Sequence, residues 1–242
     1  MKSKFSIERI AKRISSSGLC SRREAECLIK TGKVKLNGNI IQACNINVNE
    51  KDVVEVNDKK LSAKEKIRLW LYHKKKGYLV SNSDKQGRQN IFDDIKIKLK
   101  KRLISVGRLD FNSEGLILLT NNGDFARNLE LPKNNFIRKY RVRIFGTANI
   151  KIKEILKKGI TIDRLKYKPI DLEMDPQKGK NMWLTMTLRE GKNREIRKIM
   201  EFFGFSVNRL VRVSYGPFNL NELKPGQLIE IKSKNFNNIL NS

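Results

Sequence analysis

The chain has 242 residues, enough for one large domain or a small one followed by a medium one. Lys and Arg total 52 against 25 Asp and Glu, a formal net charge of +27. Such an excess favours a polyanion, with nucleic acid ahead of an acidic membrane surface, because each neutralised phosphate releases condensed counterions. No apolar run approaches the length of a membrane span, so no membrane partner is expected. Cys20, Cys27 and Cys44 form no CxxC pair and leave one thiol over in any disulfide scheme. Reduced thiols and a cytoplasmic location follow as the simplest account. With His73 the lone histidine, no metal site is expected.

The first eighteen residues are basic and contain serines, but they lack a signal-peptide apolar core and a small-residue cleavage site. Ile7, Ile10, Ala11 and Ile14 instead share one face of a predicted helix over residues 6–16, ended by Gly18. Ser21 and Glu24 then make a capping box for a second helix, with Ala25, Leu28 and Ile29 as its buried stripe. Residues 33–36, the turn Asn37-Gly38 and residues 39–42 read as a two-residue hairpin, and Val53, Val54 and Val56 supply a further strand. Arg22 and Arg23 occupy the first turn of the second helix, where the macrodipole disfavours cations. Either they are solvated at a small cost, or a phosphate docks at the helix start and is held by dipole and guanidinium groups together.

Residues 59–68 are charged and poorly patterned and read as a linker after a small domain at 5–58. A larger domain follows over 69–232, with strands expected at 69–72, 116–120, 139–145, 183–188 and 209–213. Its clearest helix is 192–203, where Ile196, Ile199, Met200 and Phe203 follow helical spacing and Arg194, Arg197 and Lys198 lie off the apolar stripe. Residues 233–242, rich in Asn and Lys, read as a frayed tail. No long heptad pattern is present, so a monomer is expected.

Residues 106–120, VGRLDFNSEGLILLT, isolate one carboxylate, Asp110, in a Gly/Asn/Ser-rich turn directly before an apolar run. Asp, Asn and Ser are ordinary turn residues. A single acid on a loop over a buried strand is also how an enzyme presents a carboxylate nucleophile. The local pattern leaves both readings open.

Val106-Gly107-Arg108-Leu109-Asp110, followed by Ser113 to Thr120, resembles the central motif of ribosomal RNA pseudouridine synthases. Lys139-Tyr140-Arg141-Val142 resembles that family's tyrosine motif, residues 190–197 (EGKNREIR) its third motif and residues 210–216 (LVRVSYG) its fourth. Residues 5–58 resemble the S4 RNA-binding domain that precedes the catalytic domain in this group. The Asn-Arg-Glu form of the third motif and the fourth motif favour the B-type branch that acts on 23S rRNA. The resemblance runs in order over nearly the whole chain. Two departures stand out: Lys75 replaces the proline of the family's Asn-Lys-Pro-x-Gly, and Gln89 replaces a proline expected after Gly87-Arg88.

The resemblance implies an α+β protein, an S4-like domain followed by a mixed-sheet pseudouridine synthase domain. It also implies isomerisation of a flipped-out uridine in a structured 23S rRNA hairpin. The reaction breaks the C1′–N1 bond and makes a C1′–C5 bond with no net redox change, so no cofactor is needed. Asp110 is the implied nucleophile, attacking C1′ or C6 or acting at the 2′ position, and Arg197 the cation that favours its charged form. Tyr140 is implied to stack on the extruded base, and Leu210 to wall the base pocket. Arg108 either holds a flanking phosphate or is a solvated turn arginine. Arg22, Arg23, Lys33 and Lys35 are expected to grip RNA by shape and phosphates. Two other classes remain, a non-catalytic rRNA-binding assembly factor and a nonspecific DNA-binding protein. The conjunction of Asp110, Tyr140 and Arg197 argues against the first, since binding alone has no need of an acid facing phosphate.

Overall fold

The computed structural model describes residues 7–63, 65–81, 84, 86–99 and 101–240, side chains at 237 and 240 excepted. Two compact units divide the chain: residues up to Ile67 with Lys101–Leu103 and Asn121–Gly123, and the remainder.

In the first unit, helices Ile10–Ser16 and Arg22–Lys30 pack with a small antiparallel sheet ordered 39–41, 34–36, 54–56, 59–60. The capping box forms as expected: the Glu24 amide donates to Ser21 Oγ at 3.1 Å, and the Ser21 amide to Glu24 Oε2 at 2.6 Å. Asn37 and Gly38 both take positive φ (+51° and +84°), the geometry that closes a two-residue hairpin with the right twist. Ile10, Ile14, Ala25, Ile29, Val34, Val48, Val54 and Val56 form the core.

Two expectations fail here. The first helix starts at Ile10, because Glu8 and Arg9 pair as a short strand with Val48 and Asn47. Ile7 therefore falls outside the helical face and is 71% exposed, and Ser6 lies outside the described residues. Lys59 and Lys60, assigned to a linker, instead pair with Val56 and Glu55 and extend the sheet by one edge strand. Lysines suit such an edge because their charge discourages pairing with another chain.

The second unit is built on a mixed sheet whose main path runs 171–174, 181–188, 138–145, 207–215, 114–120, 69–74, 228–231. Neighbours on this path are antiparallel except at Glu114–Thr120 against Val207–Tyr215, which run parallel through Val211–Glu114 and Arg212–Gly115. A Cβ on Gly115 would lie 2.3 Å from the Arg212 carbonyl oxygen, so glycine is what lets the strands meet. Beside this junction the pairing of Arg138–Phe145 with Val207–Tyr215 slips between Lys139 and Tyr140. Val213 is left over as a bulge, and Arg212 comes opposite Tyr140. The helix expected over 192–203 is confined to Glu195–Phe202, with Ile196, Ile199 and Met200 buried. The tail is not simply frayed: Phe236 is buried, its ring centroid 5.7 Å from that of Phe125.

Candidate active site

A cavity of about 260 Å³ opens in the second unit beside the parallel junction. Asp110, Tyr140, Leu210 and Arg108 all line it, so four residues singled out in the sequence converge there. Tyr140 alternates with Val142 and Ile144 along its strand, but where those two are fully buried Tyr140 keeps 9% exposure at the cavity wall. The bulge at Val213 places Arg212 opposite Tyr140, and both line the cavity.

The loop carrying Asp110 leaves strand Ile104–Val106 and enters strand Glu114–Thr120. Its backbone is held from both sides. The Ser113 amide donates to the Asp110 carbonyl at 3.0 Å, and the Gly77 amide to the Phe111 carbonyl at 2.8 Å. Lys74, wholly buried at the end of strand Leu69–Lys74, donates to the carbonyls of Ser113 at 2.8 Å, Lys75 at 3.0 Å and Phe111 at 3.4 Å. Burial pushes the Lys74 ammonium down to about 8, while the negative charges of Asp110 and Glu114 oppose the shift. Three carbonyl acceptors match its three protons, so it is the charged form that fits this niche.

Arg197 does not line this cavity, and no ion pair joins it to Asp110 among the described residues. Its Nη2 donates to the Asn112 carbonyl and its Nη1 to the Val207 carbonyl, both at 3.0 Å. The guanidinium thus braces the Asp110 loop two residues beyond the carboxylate. Burial and the neighbouring Arg194 charge lower the Arg197 pKa, and Asp110 acts in the opposite sense.

Further residues at the cavity were not picked out from the sequence. Arg138 and Arg212 flank the Tyr215 ring at 4.8 and 5.1 Å from its centroid, and Tyr215 Oη donates to the Leu129 carbonyl at 2.9 Å. Arg212 is 2% exposed; its Nε donates to the Leu116 carbonyl at 2.7 Å, and its buried Nη2 has no partner. Glu195, at the first position of its helix, accepts the Lys192 amide at 2.9 Å on Oε2, while Oε1 is buried without a partner. Burial pushes Glu195 up to about 7, with the Glu190 charge adding to the shift. Lys74 stands where the family's Asn-Lys-Pro-x-Gly motif has its lysine, and Arg212 and Glu195 likewise carry no signal outside the motifs that contain them. Among the described residues no group of three or more His, Cys, Asp or Glu is placed to hold a metal ion.

Residues 68–202 match the family model described as RNA pseudouridylate synthase, and residues 8–54 match the S4 domain. The chain belongs to the RNA pseudouridylate synthase family. It is therefore an isomerase acting on RNA, with an N-terminal S4 domain. A protein of Rickettsia felis named as an uncharacterized RNA pseudouridine synthase is 43% identical over 228 residues, covering 94% of this chain and 98% of that one. The ribosomal large subunit pseudouridine synthase B of Bacillus subtilis is 35% identical over 228 residues, covering 93% and 92%. A crystal structure of a pseudouridylate synthase superposes with a TM-score of 0.68 at 24% identity, covering 96% of this chain and 99% of that one, which establishes the shared fold.

The remaining predicted residues of this synthase lie in its first unit. Arg22 and Arg23 are exposed in the first turn of their helix and Lys33 is exposed beside the hairpin. Lys35 is committed to an ion pair with Asp58 at 2.7 Å.

Proposed function

We propose that this pseudouridine synthase isomerises one uridine in a structured hairpin of 23S rRNA, acting as a cytoplasmic monomer. Asp110 is the nucleophile, Tyr140 stacks on the flipped-out base, and Leu210 closes the apolar side of its pocket. The observation that carries this reading is the convergence of Asp110, Tyr140 and Leu210 on one cavity. The names of its relatives in Bacillus subtilis and Buchnera aphidicola support the large-subunit target.

The isomerisation breaks C1′–N1 and forms C1′–C5; the C5 proton leaves and N1 takes one up. Attack by Asp110 at C1′ or C6, or action at the 2′ position, all require an ionised carboxylate on a rigid loop. The cations Arg197 and Lys74 supply the rigidity by holding the loop carbonyls. Arg108 is exposed at the cavity and is suited to a flanking phosphate. Arg22, Arg23 and Lys33 grip RNA backbone from the first unit, and Lys35 joins them by exchanging Asp58 for phosphate.

Pseudouridine mapping of 23S rRNA from cells with and without the gene tests the proposal. One modified position is expected to disappear with the gene. An unchanged map, with or without an assembly defect, contradicts it and favours a binding role or another RNA.

A further inference from the structure

Phe111 directly follows Asp110 and is 39% exposed, on the loop that presents the carboxylate. Single exposed apolar side chains are ordinary at a protein surface. Two observations set this one apart. The backbone beneath it is fixed at four successive carbonyls. Asp110 accepts from the Ser113 amide, Phe111 from the Gly77 amide and Lys74 Nζ, Asn112 from Arg197 Nη2, and Ser113 from Lys74 Nζ. A loop held in this way keeps its ring in water. The ring also has no aromatic or cationic partner among the described residues. Asp110 and Ser113 line the cavity and Phe111 does not, so the ring stands outside the rim. It is one residue from the nucleophile, and consecutive Cα atoms lie about 3.8 Å apart.

The neighbouring side chains are cationic. Gly77, whose amide pins the Phe111 carbonyl, follows Lys75 and the exposed Lys76. Arg108 is exposed three residues before the ring. An apolar ring set among cations suits a nucleic acid, whose bases offer π-faces and whose backbone offers phosphates.

A uridine reaches Asp110 only by leaving its stack, which breaks its contacts with the adjacent bases and opens a gap beside them. Apolar side chains inserted at base steps hold nucleic acids in such unstacked states. Resting on the pseudouridine synthase reading above, we propose that Phe111 is a stacking wedge. Its ring packs against the base next to the target uridine once that uridine has turned into the cavity. The contact exists only in the extruded state, so it favours extrusion over the stacked ground state. It touches no reacting atom and reads no base edge, and it tolerates different neighbours because every base has a π-face.

The test uses the full-length protein and a synthetic 23S hairpin carrying the mapped uridine. The hairpin is intact or has an abasic residue on the 5′ or the 3′ side of that uridine. Single-turnover product is measured by nucleoside mass spectrometry at limiting protein for wild type, F111A, F111N and F111Y. On the intact RNA, F111A should lose about five- to hundredfold in rate, the scale of one base stacked on an aromatic ring. F111N should lose as much, whereas F111Y, which keeps the ring, should stay within about threefold of wild type. On one of the two abasic RNAs the ring has no partner. There wild type and F111A should differ by no more than about twofold, the scatter of independent changes. A larger F111A deficit on both abasic RNAs overturns the wedge and gives the ring a role inside the loop. Equal rates of wild type and F111A on the intact RNA overturn it as well. Should F111A not fold, F111N decides by the same comparisons, since asparagine is at home in a turn. Wild-type turnover without dependence on Phe111 defeats this contact alone; no wild-type turnover on the uridine RNA defeats the 23S assignment and this contact with it.

Discussion

Gly115 and Arg212 meet backbone to backbone at the parallel junction of the sheet, where a Cβ on Gly115 would sit 2.3 Å from the Arg212 carbonyl oxygen and 2.6 Å from its nitrogen. The obstacle is main chain on both sides, and Gly115 also has φ +106°, so neither rotation nor a side-chain shift relieves it. Gly115→Ala should therefore destabilise the protein by about 3 kcal/mol or more, combining steric overpacking with backbone strain. Denaturant unfolding of the two proteins checks this. A loss under about 1 kcal/mol would mean that the strands can separate at little cost, contrary to ordinary core behaviour.

Lys74 ties three carbonyls around the Asp110 loop without itself lining the cavity. Lys74→Met keeps the stem and removes the donors, so the loop should lose its fixed geometry while the RNA-binding surface is untouched. Single-turnover rate should fall about tenfold to a hundredfold, the cost of losing charged hydrogen bonds, with RNA affinity changed less than threefold, about 0.6 kcal/mol. An equal fall in affinity and no fall in rate would place Lys74 in binding instead.

Glu195 gives stability a pH dependence of definite sign. Burial raises its folded pKa to about 7 from an ordinary 4.5, so the fold favours the protonated carboxyl. That contribution is fully present below about pH 4.5 and is lost as pH rises through about 7, a difference of about 3 kcal/mol at 1.36 kcal/mol per unit. Unfolding free energies of wild type and Glu195→Gln, compared between pH 4.5 and 8, should diverge by that order, with wild type losing more. Parallel curves would show that the carboxyl is ionised in the fold at little cost.

The first unit's contribution to RNA binding is electrostatic. Replacing Arg22, Arg23, Lys33 and Lys35 by Gln should weaken RNA binding and reduce the slope of log affinity against log salt by up to about 3.6, at roughly 0.7–0.9 per phosphate contact. An unchanged slope would remove these four from the interface.

What the sequence disclosed was local or motif-borne. Ser21 and Glu24 lie three apart and cap their own helix; Asn37-Gly38 closes its own hairpin. Asp110, Tyr140, Arg108 and Leu210 were found because family motifs carry them, and the cavity then unites them. The rest depends on contacts between distant segments. Lys74 matters because carbonyls almost forty residues away surround it, and Arg212 faces Tyr140 only through a one-residue bulge. Arg197 was expected beside the Asp110 carboxylate, yet it holds the carbonyl of Asn112, a distinction that backbone geometry alone decides. Glu8 and Arg9 were read as helix because helical spacing at Ile7 and Ile10 is indistinguishable from chance over so short a run; their pairing partner, Asn47–Val48, lies far along the chain.

The most direct test of the account is the modification state of 23S rRNA in cells whose only copy of the gene encodes Asp110→Asn, together with RNA affinity of the purified variant. The change removes the nucleophile while preserving side-chain shape. The account predicts that the mapped uridine stays unmodified and that affinity remains within about threefold of wild type, about 0.6 kcal/mol. Full modification in the Asp110→Asn cells would contradict it.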